Sequence, residues 1–291
     1  MTTVPGGVYT ALITPCRDDG SVDTDAIRTL IDFQAGTGVA GLFVLGTAGA
    51  GPLLDRSERR AVAEAILDAA RDRLFVIVHV GAMPTSVAVE LAAEAVEAGA
   101  PAVAAVPPTY YQPDFGSVRR YYERIAEAAG GTPLLAYNNP AATGYDLRPE
   151  QAAELHRDGL IAGVKQASTS VKDLHALLAA GVPVWMANSG LGTAALTMGA
   201  RGVISTLTNV VPELFVRLQQ AMTDADLARV RDLQSRIDRA SAGLRVPIIG
   251  ALHAGATMRG LPGGAPREPL RLPESDEMGG VRSAIDQLRD A

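Results

Sequence analysis

A single cysteine, Cys16, is all the thiol this chain carries. That excludes an intramolecular disulfide framework and every CxxC redox or metal motif, and it fits a reducing compartment. The four histidines, His79, His156, His175 and His253, fall at no ligand spacing of the HExxH kind, so neither a metal nor another cofactor is expected. There is no run of lysine and arginine and the formal charge is −6, which leaves no electrostatic footprint for nucleic acid or an anionic membrane. No stretch reaches about 18 uninterrupted apolar residues, and the opening MTTVPGGVYTALITP lacks a charged segment followed by an apolar one, so neither a spanning helix nor a signal peptide is expected. A soluble, cytoplasmic protein acting on a small molecule is the reading these absences leave.

What is present is apolar mass: 47% of the 291 residues are hydrophobic and 20% charged, enough for one large core. Eight short β-branched runs, at 8–15, 41–46, 74–81, 101–108, 133–139, 161–168, 183–188 and 202–209, alternate with segments of helical spacing such as 57–71, 84–98, 118–129 and 191–200. The runs are apolar almost throughout instead of alternating, as parallel strands covered on both faces should be. Gly99, Gly181 and Gly199 sit where helices should end, and Asp23, Ser57 and Pro84 where they should begin. An open doubly wound sheet would place a glycine-rich phosphate turn after the first strand, but that strand ends Thr14-Pro15-Cys16-Arg17. The expected fold is therefore α/β, a (β/α)8 barrel over residues 1–222, with its active site at the C-terminal ends of the strands. Residues 223–291 are expected to add a C-terminal helical extension, with helices near 224–242, 247–258 and 279–290. The apolar stripe Leu227, Val230, Leu233 and Ile237 in it needs covering.

Within the sixth run, IAGVKQAS, Lys165 is a cation among apolar neighbours. A desolvated lysine shifts toward the neutral amine that attacks a ketone; taken alone, the position more often marks a side chain that reaches past the strand end to solvent or pairs with an acid elsewhere in the chain. Tyr137 closes the fifth run one strand away, where a phenol can shuttle protons or simply pack in the core. The segment LGTAGAG (45–51) offers small residues whose amides can cradle a carboxylate, and it fits neither GxGxxG nor GxxxxGK[ST]. Tyr110 and Tyr111 follow the fourth run. Ser189 has no nucleophile-elbow context, which disfavours a serine hydrolase.

In order and spacing, YTALITP (9–15), GTAG (46–49), PPTYY (107–111), YNNP (137–140), Thr143-Gly144, GVK (163–165), GVIS (202–205) and LPGGAPR (261–267) resemble the dihydrodipicolinate synthase / N-acetylneuraminate lyase family. Those barrel enzymes form a lysine Schiff base with pyruvate or another 2-oxo acid, without cofactor or metal. The resemblance implies that Lys165 forms the imine and that Tyr137 relays protons. It implies that Thr47 links Tyr137 to a second tyrosine across a subunit interface of a homotetramer, matched by Tyr110 with Tyr111 as the alternative. The amides of Thr47 and Ala48 would hold the substrate carboxylate, and Ile204 would place its backbone near the imine. The chain departs from the usual GTTGE at Ala48 and Ala50, and Ala142 stands where dihydrodipicolinate synthases usually carry an arginine for their second substrate. Local motifs look closer to 2-keto-3-deoxygluconate aldolases, with a neutral aldehyde partner, although Asn139 stands where some of those have an aromatic residue. A Schiff-base sugar-acid dehydratase, a dihydrodipicolinate synthase and a non-catalytic binding paralogue are the alternatives.

Overall fold

Eight apolar runs become eight parallel strands because each is buried along its length and is followed by turn residues that end the ladder. The computed structural model describes residues 3–245 and 247–289. In chain order it contains β1 (Gly7–Ala11), α1 (Thr24–Ala35), β2 (Gly41–Val44), α2 (Arg56–Ala70), β3 (Phe75–His79), α3 (Thr85–Glu97), β4 (Ala102–Ala105) and α4 (Phe115–Ala128). Then follow β5 (Leu134–Asn138), the short α5 (Pro140–Thr143), α6 (Pro149–Arg157), β6 (Gly163–Gln166), α7 (Val171–Ala179), β7 (Val184–Met186), α8 (Gly192–Thr197) and β8 (Gly202–Ser205). The chain ends with α9 (Pro212–Thr223), α10 (Leu227–Gly243), α11 (Ile248–Met258) and α12 (Met278–Asp286). The strands form a closed barrel in the order β1 to β8, the expected (β/α)8 fold, and three helices follow α9. Among the described residues no helix is long and apolar enough to cross a membrane.

The strands are shorter than the apolar runs that announce them. The tails of the runs at 8–15 and 101–108 hold Pro15, Pro107 and Pro108, which have no N–H to give a ladder. Helix ends are set by local chemistry. Asp23 caps α1 by accepting from the amides of Asp25 and Ala26, and Gly99, Gly181 and Gly199 adopt the left-handed conformation just past α3, α7 and α8. The start of α2 differs from the expectation at Ser57: the cap is Asp55, which forms a reciprocal capping box with Glu58, and the Ser57 hydroxyl merely donates to Asp55 at 2.6 Å. Leu227 also departs from the expected stripe. It is 68% exposed while Val230, Leu233 and Ile237 are buried, because it is the first residue of α10, beside the capping Asp226. The last helix ends at Asp286, and Asp290 lies outside the described residues.

By contacts the chain divides into two compact units, one of residues 76–204 with the segment before Gly7, the other of residues 7–75 and 205–291. In the first, β3 to β7 pair in parallel register, with Tyr137 opposite Lys165 and Lys165 opposite Trp185. The Trp185 indole donates to the Pro5 carbonyl at 3.2 Å.

The second unit is tied by buried polar side chains that satisfy backbone groups. Asn209 donates to the carbonyls of Ala11 and Thr206 at 2.7 and 2.8 Å and accepts from the Ile13 amide at 3.1 Å. Gln34 accepts from the Thr10 hydroxyl at 2.7 Å and donates to the Thr208 carbonyl at 2.9 Å. In the same unit, α10 packs on α9 and α12, and Arg267 of the LPGGAPR segment pairs with Glu58 and reaches the Gly20 carbonyl.

Candidate active site

Parallel pairing in the first unit puts Tyr137 of β5 directly beside Lys165 of β6. With a side-chain period of two, Val164 and Gln166 point away from the face that Lys165 occupies. Lys165 is 4% exposed, so its side chain stays inside and does not run out to solvent. Burial pushes its ammonium below the ordinary lysine pKa, against the opposing attraction and hydrogen bonding of Tyr137. The Nζ atom lies 3.3 Å from the centroid of the Tyr137 ring. A lysine biased toward its neutral form next to a phenol is a nucleophile with a proton-transfer group at hand.

Asn139 and His79 both meet the phenol. The Tyr137 hydroxyl accepts a hydrogen bond of 3.0 Å from Nδ2 of Asn139. The imidazole of His79, 2% exposed, meets the Tyr137 ring edge to face, with centroids 6.1 Å apart. Its Nε2 accepts from the Val106 amide at 3.2 Å, which ties it to the loop after β4. Adjacent Asn138 turns the other way: it donates to Asp146 at 2.8 Å and accepts from the Leu147 amide at 3.0 Å, fastening the segment after α5. His79 escaped the sequence reading, as did the contact that Asn139 makes; a polar residue near the end of a buried apolar run is the mark that could have found both.

Ile204, on β8, is 1% exposed. Tyr110 has φ of +74°, a strained conformation for a bulky side chain, and is 83% exposed; Tyr111 is 69% exposed. The two rings meet edge to face at 5.0 Å, so within one chain Tyr110 is brought to Tyr111. Ala142, within α5, is exposed.

In the second unit, Thr47 and Ala48 follow β2 in a turn whose Leu45 and Ala50 both have positive φ, +59° and +49°. The Ala50 amide donates to the Thr47 carbonyl at 3.2 Å and the Gly51 amide to the Gly46 carbonyl at 3.2 Å. Thr47 is exposed and Ala48 buried.

Comparison with known proteins places nearly the whole chain in one family. A model of the Dihydrodipicolinate synthetase family matches residues 4–288. An N-acetylneuraminate lyase of Rhizobium meliloti is 33% identical over 283 residues, 96% of this chain and 94% of that protein. A 4-hydroxy-tetrahydrodipicolinate synthase of Salinibacter ruber is 37% identical over 235 residues, 79% of this chain and 78% of that protein. Among solved structures, YagE of Escherichia coli K12, a prophage protein of the dihydrodipicolinic acid synthase family in complex with pyruvate, superposes with a TM-score of 0.93 at 25% identity, covering 98% of this chain and 99% of that one.

Proposed function

Because this chain belongs to the dihydrodipicolinate synthetase family, we propose that it is a class I lyase in which Lys165 forms a Schiff base with pyruvate or another 2-oxo acid and makes or breaks a C–C bond to an aldehyde. The observation that carries this reading is the buried Lys165 amine held against the Tyr137 phenol. The neutral amine adds to C2 of the oxo acid, and the Tyr137 phenol gives its proton to the departing hydroxyl, so that loss of water leaves a protonated imine and a Tyr137 phenolate. Transfer of a C3 proton to the Tyr137 phenolate gives an enamine, whose C3 attacks the aldehyde carbon while the phenol returns its proton to the aldehyde oxygen. Hydrolysis of the imine then releases product and amine.

Thr47 and Ala48 are assigned the substrate carboxylate through their amides, Thr47 also the link from Tyr137 to a second tyrosine, and Ile204 the backbone beside the imine. Tyr110 is that second tyrosine, supplied across an interface of a homotetramer. Its exposure and its strained backbone support a residue held for a partner copy; light scattering that gave a monomer at working concentration would remove this role. Residues 1–222 are read as the catalytic barrel and 223–291 as its extension. A buried, unpaired Cys16 thiol fits the cytoplasm.

The second substrate is a neutral aldehyde of the kind released from 2-keto-3-deoxy sugar acids. Ala142 supports this, since it offers no guanidinium to a charged amino-acid semialdehyde. A dehydratase would use the same imine and break a C–O bond instead. Product analysis with sugar acids separates the two, and borohydride reduction in the presence of pyruvate tests what they share. A pyruvyl adduct on Lys165 that vanishes in Lys165→Ala supports the lyase; no adduct with any of several 2-oxo acids overturns it in favour of a non-catalytic binding protein.

A further inference from the structure

Tyr137 and Asn139 are two residues apart at the end of β5 and the start of α5, so both side chains fall on the same side of the chain, with Asn138 directed oppositely. The Asn139 backbone is held at the head of α5, where its carbonyl accepts from the amides of Ala142 and Thr143, each at 3.0 Å. Beyond it, Asn138 clamps the following segment through Asp146 and Leu147. The side-chain amide therefore starts from a fixed root and places Nδ2 3.0 Å from the phenol oxygen. A donor aimed at an oxygen stabilises the form in which that oxygen is charged. In the free site the Lys165 ammonium also attracts the phenol oxygen. Once the amine is consumed in an imine, its own N–H is committed to the reacting centre, and the Asn139 amide is a donor to the phenol that chemistry does not remove.

We infer that Asn139 is a positioning residue for the Tyr137 phenol, holding its oxygen toward the imine and favouring the phenolate that accepts the substrate's C3 proton; the inference rests on the lyase reading above. It gives the residue a task that a phenylalanine at this position could not perform, since a carbon-only ring edge offers the phenol no comparable donor. The segment after β5 then does two jobs with adjacent asparagines, Asn138 fixing the backbone and Asn139 the relay oxygen.

Exchange of pyruvate methyl protons for deuterium in D2O isolates the step, because it needs the imine and the base but no aldehyde. The wild type, Asn139→Leu, which removes the donor, and Asn139→Asp, which keeps the shape and puts an acceptor in place of Nδ2, are compared by proton NMR over a pH series. Borohydride trapping of Lys165 is measured in parallel. The expected result is unchanged adduct yield in both variants, with the rising limb of the exchange profile displaced upward by about one pH unit in Asn139→Leu and further in Asn139→Asp. Exchange at a pH below that limb falls about tenfold for each unit of displacement. Profiles that superimpose on the wild type while the adduct still forms overturn the inference and leave the lyase reading standing. Absence of both adduct and exchange in the wild type overturns the lyase reading itself, and this inference with it.

Discussion

Lys165 and Tyr137 are paired across β5 and β6 with the amine 3.3 Å from the ring centroid, so the cation meets the π face of the same side chain whose hydroxyl Asn139 holds. The ring face stabilises an ammonium that burial destabilises, and burial is the larger influence. The amine is thereby kept ready to lose its proton.

If that balance is right, stability and function oppose each other at this position. Replacing Lys165 with Met retains most of the volume and removes a desolvated charge, so the variant should be more stable by on the order of 1–2 kcal/mol while forming no adduct. The sign with pH follows. A buried lysine with a lowered pKa makes the unfolded chain bind more protons, so wild-type stability rises as pH climbs from the folded toward the unfolded value, and the gain in Lys165→Met should shrink over that range. Urea unfolding at pH 7 and at pH 10 checks this, and a gain that grew with pH would contradict it.

Tyr137→Phe keeps the ring over the amine and deletes only the relay oxygen. Turnover should fall by about 10²- to 10⁴-fold, with pyruvate adduct still trapped on Lys165 by borohydride. Turnover within twofold of wild type would remove the phenol from the chemistry.

Much of this site was legible in the chain because it breaks a strong pattern. A barrel strand covered on both faces is apolar throughout, so Lys165 inside IAGVKQAS stands out, and the same regularity made all eight strands countable. Strand ends were less legible, since buried residues such as Leu12 and Ile13 continue the apolar run past the end of β1. Asp55 was overlooked as the cap of α2 because Ser57, two residues on, is also a capping residue type. His79 could be noticed as a polar residue closing an apolar run, but its role could not: its partners, the Val106 amide and the Tyr137 ring, lie 27 and 58 positions away in the chain (137 − 79), and no local pattern reports a contact of that range. Tyr110 could be singled out by motif, but its positive φ is a property of the folded loop.

His253 supplies a stability test away from the chemistry. It is buried in α11, its Nδ1 lies 2.7 Å from the Gly263 carbonyl, and burial pushes its pKa down to about 4 despite that hydrogen bond. With an unfolded value near 6.5, the unfolded state binds the extra proton first. The contribution of neutral His253 is therefore whole above pH 6.5 and is lost as pH falls toward 4, on the order of 3 kcal/mol in all. His253→Asn preserves a donor near the Nδ1 position and cannot titrate. The difference in unfolding free energy between wild type and variant should change with pH between 6.5 and 4; a constant difference across that window would refute the assignment.

Asn209 tests whether buried side-chain amides hold the second unit together. Its three hydrogen bonds satisfy the Ala11 and Thr206 carbonyls and the Ile13 amide, all at or just after the ends of β1 and β8, and the residue is 2% exposed. Truncation to Ala deletes the partner of three backbone groups and leaves a small cavity that has to recruit water or stay unsatisfied. At about 1–3 kcal/mol for each buried group left unpaired, partly relieved by entering water, Asn209→Ala should lose roughly 3–5 kcal/mol in urea unfolding. Asn209→Asp keeps the acceptor for Ile13 but faces two carbonyls with a carboxylate, so it should be at least as destabilised at pH 7 and should recover as the acid is protonated. An Asp variant whose deficit relative to wild type grew as pH fell from 7 to 5 would show that the amide's donors are not what the site requires.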